Sequence, residues 1–256
     1  MTYGRQCLLG AGIYLLALLL TAPATLIDAL LEKKFPAYEK QGGLRLVAAQ
    51  GTVWRGSGRL EVRNANHRAA RLGDIAWRAA PAYLLRGEIL YNIAWEKSAA
   101  TFPVAIGFSH LNIRHAAVAV PATVLGIGLP TLAPLGLSGT LQLHIPQLTV
   151  TRSGTVGSAS LQWLTAGSTM SPVAPLGDYQ LDLTAEKTGN LPTMHATLTT
   201  LQGALQLQGQ GMWQQGMAPT LDTTARLLPA AQQQLAPFLR MIAVERDDGS
   251  FHLQLQ

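Results

Sequence analysis

The chain has 256 residues and a formal net charge of +5, yet only 13% of its residues are charged, about half the share in an average soluble domain. That length supports one large domain or two small ones with a sizeable core. Cys7 is the only cysteine and sits in an apolar N-terminal run, so disulfides and thiolate metal sites are excluded from the main body.

Residues 8–27 form 20 consecutive uncharged positions, preceded by Arg5 and closed by Asp28. As a helix they match a hydrocarbon core of roughly 30 Å. Two readings compete: a retained membrane anchor, or a signal peptide cleaved after Ala22-Pro23-Ala24. The run continues through Leu26 and Ile27, which favours the anchor. A transmembrane segment is therefore expected over residues 1–31 and a polar connector over 32–43, leaving 44–256 as the body. Counting positive residues beside the span (Arg5 before; Lys33, Lys34 and Lys40 after) points the body toward the cytoplasm. The short leading tail and the β-rich remainder instead place it in the periplasm.

Within the body the dominant signal is a glycine followed by alternation of apolar and polar residues. It appears at 58–62 (GRLEV), 139–145 (GTLQLHI), 177–183 (GDYQLDL), 203–208 (GALQLQ) and 249–255 (GSFHLQL). Each such segment has one apolar and one wet face, as in antiparallel sheets. Further strands are expected over 73–79 and 87–96. Helical candidates are few: 81–86 (PAYLLR), 121–128 (PATVLGIG) and 229–242. In the last, Leu228, Ala231, Leu235, Leu239 and Ile242 recur at helical spacing and Pro237 is expected to kink or interrupt it. The fold class is mainly β, one extended, curled antiparallel sheet with a soft midpoint at 121–139.

Charge is uneven. Residues 41–100 hold nine Lys/Arg against four acids, whereas residues 101–256 hold six against seven. These arginines alternate with apolar residues, as on a solvated sheet face. They suit anionic lipid or an acidic protein partner better than nucleic acid, for which no motif is present. Nucleophile elbows, zincin motifs, phosphate loops and dinucleotide fingerprints are also missing from the sequence. The six histidines (67, 110, 115, 144, 195, 252) are dispersed. Asp247-Asp248-Gly249 reads as a turn in preference to a calcium loop. No catalytic residue, metal ligand or cofactor is assigned. The five tryptophans (54, 77, 95, 163, 213) read as core, with an aromatic-lined groove as the other option.

One cluster stands apart: Gly51, Thr52, Val53, Trp54, Arg55 and Gly56. Trp77, Pro81, Leu85 and Gly87 follow it, and later Gly139, Gly177 and Gly249 open strands. In order, spacing and total length this resembles the type II secretion system protein N family (GspN). Arg55 departs from the pattern, which has a small residue there. The resemblance implies a bitopic inner-membrane protein of the cell envelope without an active site. It would act by protein–protein contact in the export of folded proteins across the outer membrane. Its partners would be other secretion subunits (the inner-membrane platform, and the outer-membrane secretin), with lipid met through the N-terminal helix. The family is also similar to AsmA-like envelope proteins, which offers lipid binding in a β-groove as the alternative. The expected working surface is a sheet edge at the last strand, carried by Phe251, Leu253 and Leu255.

Overall fold

Alternation over so much of the chain leaves the strands one economical solution, which is to pair each with the next and pool their apolar faces. The structure, a computed structural model, describes residues 21–34, 42–64, 68–96, 100–128, 130–188, 191–214, 220–246 and 251–255. The described strands form one 14-stranded antiparallel sheet in which β1 to β12 pair in sequence order. They are β1 (Gly42–Gly51), β2 (Arg55–Asn64), β3 (Ala69–Ala80), β4 (Glu88–Trp95), β5 (Thr101–Gly107), β6 (His110–Pro121) and β7 (Leu137–Thr151). They continue with β8 (Gly154–Ser168), β9 (Gly177–Thr188), β10 (Leu191–Gly203), β11 (Leu205–Gln214) and β12 (Thr220–Leu227). The order then swaps: β14 (Phe251–Leu255) lies between β12 and the two-residue β13 (Val244–Glu245).

Cross-strand register carries one face through the whole sheet, because residues directly opposite share a face. Leu46 faces Leu60, Gly58 faces Ile75 and Trp77 faces Ile93. Farther on, Val118 faces Leu143, Leu141 faces Trp163, Trp163 faces Tyr179 and Ala225 faces Phe251. The other face is polar: Arg59 opposes Asp74, and Gln142, Gln162 and Gln180 align across three strands. Arg59 and Arg71 lie here, with Asp74 bridging Arg59 (3.3 Å) and Arg71 (2.9 Å).

Helices cover the apolar face at three places, and each place is a buried cluster. Helix α1 (Thr25–Lys34) lies beside β1, where Ala24, Leu46 and Trp77 are buried. The short α2 (Thr123–Gly128) places Val124 against Ala122 and Leu141. Helix α3 (Pro229–Ile242) drives Ala231, Leu235 and Leu239 into a cluster with Leu176, Leu205, Ala225 and Phe251. Two 3-10 turns complete the set, η1 (Pro81–Arg86) and η2 (Pro130–Leu135). Although α2 follows β6, it packs on β2 and β3 as well as β7. With strands about 4.8 Å apart, only a curled sheet brings those together. Register shifts where Ala48 (φ 53°) and Thr165 (φ 48°) take left-handed backbone supply bulges that add twist.

Several expectations change. Pro237 does not interrupt α3, which runs unbroken from Pro229 to Ile242. Pro237 is exposed, and so is Gln233, whose carbonyl loses its partner to the proline and can be solvated. Leu228 is exposed at the helix start instead of in the apolar stripe. The segment at 203–208 is broken at Ala204, since Gly203 ends β10 and Leu205 begins β11. The pairing from β6 to β7 across 121–139 is long, eleven register pairs, whereas β5 meets β6 over three, Val104 to Ile106. β13 and β14 share only two pairs, and among β1 to β12 the join with the fewest is β5–β6. There Trp95 Nε1–H bonds the Ala119 carbonyl (3.2 Å) across a cleft of about 600 Å³. Finally, among the described residues no helix is long and apolar enough to cross a membrane, and residues 1–20 lie outside them.

Candidate functional site

The motif cluster at 51–56 folds into a corner that joins three parts of the chain. Gly51 has φ 89°, and a Cβ there would collide with the Arg55 carbonyl, so only glycine turns the chain at that point. Thr52 then closes the turn: its N–H bonds the Arg55 carbonyl (2.9 Å), and its Oγ1 accepts the Arg55 N–H (3.2 Å). This leaves the Thr52 and Val53 carbonyls aimed at the Trp77 indole N–H, 3.1 and 3.2 Å away. The indole body lies against Gly56, where a Cβ would stand 2.5 Å from Trp77 Cζ2. Trp54 is half-buried and its carbonyl accepts the Ala79 N–H (2.7 Å). The glycines, the threonine and the two tryptophans of the motif therefore form one packing unit. Arg55 projects from the polar face opposite Arg78 and is exposed, so its size costs the corner nothing.

The N-terminal segment is stitched to the same corner. Val53 N–H bonds the Ala22 carbonyl (2.9 Å), Ala24 N–H bonds the Gly51 carbonyl (3.1 Å), and Pro23 bridges to Thr52. Ala24 is 1% exposed and Ile27 packs on its cluster. Residues 22–27, the last part of the apolar run, thus contact the sheet. One turn on, Asp28 accepts the Leu46 N–H through Oδ1 (3.0 Å) and pairs with Arg45 through Oδ2 (3.0 Å). A backbone donor on the outer side of β1 is satisfied by a side chain, and α1 covers that edge. Neither Asp28 nor Arg45 stands out in the sequence; Asp28 shows there only as the end of the apolar run.

The C-terminal edge differs. Phe251 is 2% exposed and packs under α3, so its side chain belongs to the core and is not offered to a partner. Its backbone, with that of His252, pairs with Ala225 and Thr224 on one side and with Glu245 and Val244 on the other. Leu253 and Leu255 pair with Thr223 and Leu221 of β12. No described strand lies on their other side, because β13 ends at Glu245. Gly249 lies outside the described residues.

The remaining motif positions lie in or beside η1 and in the strands. Pro81 opens η1, Leu85 lies in it, and Gly87 caps it in left-handed conformation with its N–H on the Leu84 and Tyr83 carbonyls. Gly139 sits at a register shift of β7, and Gly177 runs closely beside Gly203. Tyr179 donates its hydroxyl to the Leu205 carbonyl (3.0 Å). Burial, aided by neighbouring Asp178, pushes its ionisation far above the ordinary tyrosine range. Burial also raises that of Tyr91. His110 pairs with Glu88 (3.0 Å), while His115 takes left-handed backbone (φ 51°) in β6. Among the described residues no three His, Cys, Asp or Glu side chains gather as a metal site.

Comparison with known proteins finds a match along almost the whole length of the sheet. A family model described as type II secretion system (T2SS), protein N, covers residues 42–254, from the first residue of β1 into β14. A Klebsiella pneumoniae protein named "Type II secretion system protein N" is 26% identical over 211 residues, spanning 80% of this chain and 76% of its own. No solved structure matches.

Proposed function

The chain belongs to the type II secretion system protein N family, and from that premise we propose that it is a bitopic, non-catalytic subunit that joins secretion components by adding strands at its C-terminal sheet edge. The body stands in the periplasm, held to the inner membrane by the apolar run. The observation that carries the retained anchor is the burial of Ala24 within the motif corner. Cleavage after Ala24 would remove a core residue and the two backbone hydrogen bonds that Ala22 and Ala24 make to the corner. Residues 8–21 of the uncharged run remain upstream, about 21 Å as a helix, so a span of roughly 30 Å would also take in the residues before Leu8. The lipid-groove alternative gains no support from the family match.

The contrast between edges supports the mode of contact. The β1 edge is covered by α1 and Asp28, whereas β14 keeps one side without a described strand over residues 253–255. Such a side is a template for a partner's extended segment. Because Phe251 belongs to the core, the test removes only residues 253–256. The full-length and shortened proteins are extracted from cell envelopes, and recovered platform and secretin subunits are identified. Reduced recovery with an unchanged unfolding temperature is expected. Equal recovery by a folded, shortened protein eliminates this edge, and failure of the full chain to recover any secretion subunit eliminates the accessory role.

A further inference from the structure

In an antiparallel meander, successive turns alternate between the two ends of the sheet, so the turns fall into two rims. The Thr52 corner, η1, the β5–β6 turn and the β7–β8 turn all lie on one rim. The apolar N-terminal run meets the sheet at that rim too, through Ala22 and Pro23. On it Phe108 is 92% exposed and Leu84 is 44% exposed, unusual positions for large apolar side chains beside covered clusters. They are contiguous, since a Cβ on Gly87 would lie 3.6 Å from the Phe108 ring and Gly87 caps the turn that carries Leu84. Around them stand cations: Arg86 lies over the Tyr83 ring (5.5 Å), and Arg55 and Arg152 are exposed in the neighbouring turns. Glu88, which opens β4 just after η1, is engaged by His110.

We infer that this rim lies on the membrane surface, with Phe108 and Leu84 entering the interface and the arginines meeting anionic headgroups. The chemistry is that of interfacial anchors: an aromatic and an aliphatic side chain at a loop tip, flanked by guanidinium groups. A lipid surface fits better than a protein groove because the apolar run leaves the sheet beside these turns, fixing their height relative to the bilayer. The inference rests on the proposed membrane attachment and adds an orientation: the strands stand on the bilayer by this rim, and α3 and the loop before β9 point away.

The test uses the full-length protein with Cys7→Ser, carrying an environment-sensitive fluorophore on Ser109→Cys or, in the β8–β9 loop of the opposite rim, on Met170→Cys; both positions are exposed. Each is reconstituted in phosphatidylglycerol-containing vesicles that include a lipid with a quencher just below the headgroup. The label at 109 is expected to shift to the blue and lose emission, and the label at 170 to do neither. Adding Phe108→Asp should restore emission at 109. Carbonate extraction reads the N-terminal anchor separately. Quenching at 109 supports the rim whether or not carbonate strips the protein. Equal, solvent-like emission at 109 and 170 overturns it in either case.

Discussion

At β1 the sheet ends in polar contacts made to backbone, whereas near β14 it ends in an apolar helix laid across the face. Asp28 satisfies the Leu46 N–H at the first edge, and the Trp77 indole N–H holds the corner carbonyls. At the other end Leu235 and Leu239, 0% and 1% exposed, pin α3 over Phe251. The first arrangement closes an edge; the second closes a face and leaves residues 253–255 with no described strand on one side. The difference separates two jobs that a curled sheet must do: exclude water from its apolar side, and decide which backbone groups remain available to other chains.

The largest effects should come from breaking the two closures. Trp77→Ala is expected to cost about 3–5 kcal/mol and Leu235→Ala about 2–5 kcal/mol, as for other buried large-to-small changes. Their clusters share no residue, so the double variant should lose the sum to within about 0.5 kcal/mol. Denaturant unfolding of the three variants checks this, and a strong coupling between them would mean that the ends stabilise one another.

A smaller effect follows from the buried phenols. Tyr179 holds its proton above the ordinary tyrosine pKa of 10.0. The unfolded chain gives up that proton first, so stability is intact below pH 10 and declines as pH rises beyond it. Tyr91, also raised, contributes in the same direction at the other end. Unfolding free energies measured from about pH 8 to 11 should fall most steeply past the ordinary tyrosine value. Tyr179→Phe should flatten that slope more than Tyr91→Phe, at the cost of the hydrogen bond to Leu205.

The smallest stability change tests the closed edge itself. Asp28→Ala leaves the Leu46 N–H without its acceptor, worth about 1 kcal/mol at a part-exposed site. Its larger consequence is expected in association. With β1 uncovered, the chain should show concentration-dependent dimers by light scattering that the parent lacks. A monomeric Asp28→Ala protein would show that α1 alone protects the edge.

Much of this contrast was legible in the residues, and what was not has identifiable causes. Alternation revealed the two-faced sheet, and PAYLLR revealed η1, because those signals are local. The motif corner was legible as a pattern; its meaning was not, since Gly56 is required by the distant Trp77, which only register brings to it. The apolar run concealed Ala24 and Ile27 because sheet burial and bilayer burial demand the same residues. Phe251 read as an edge residue because alternation shows that a side chain is apolar and not what covers it; the cover is α3. Phe108 carried no periodic signal, standing alone in a turn.

The neighbour-to-neighbour order of the strands also bears on how the protein reaches its native state. Contacts that are close in sequence form with little loop-closure cost, which favours fast acquisition of structure. From β1 to β12 each new strand finds its partner already in place, so the sheet can lengthen as the chain emerges from its N-terminus. Only the β12–β14 pairing must wait, because α3 and β13 intervene and β14 inserts between β13 and β12. Phe251 is then the last buried side chain among the described residues to be seated, and the cluster under α3 is complete only after that step has finished.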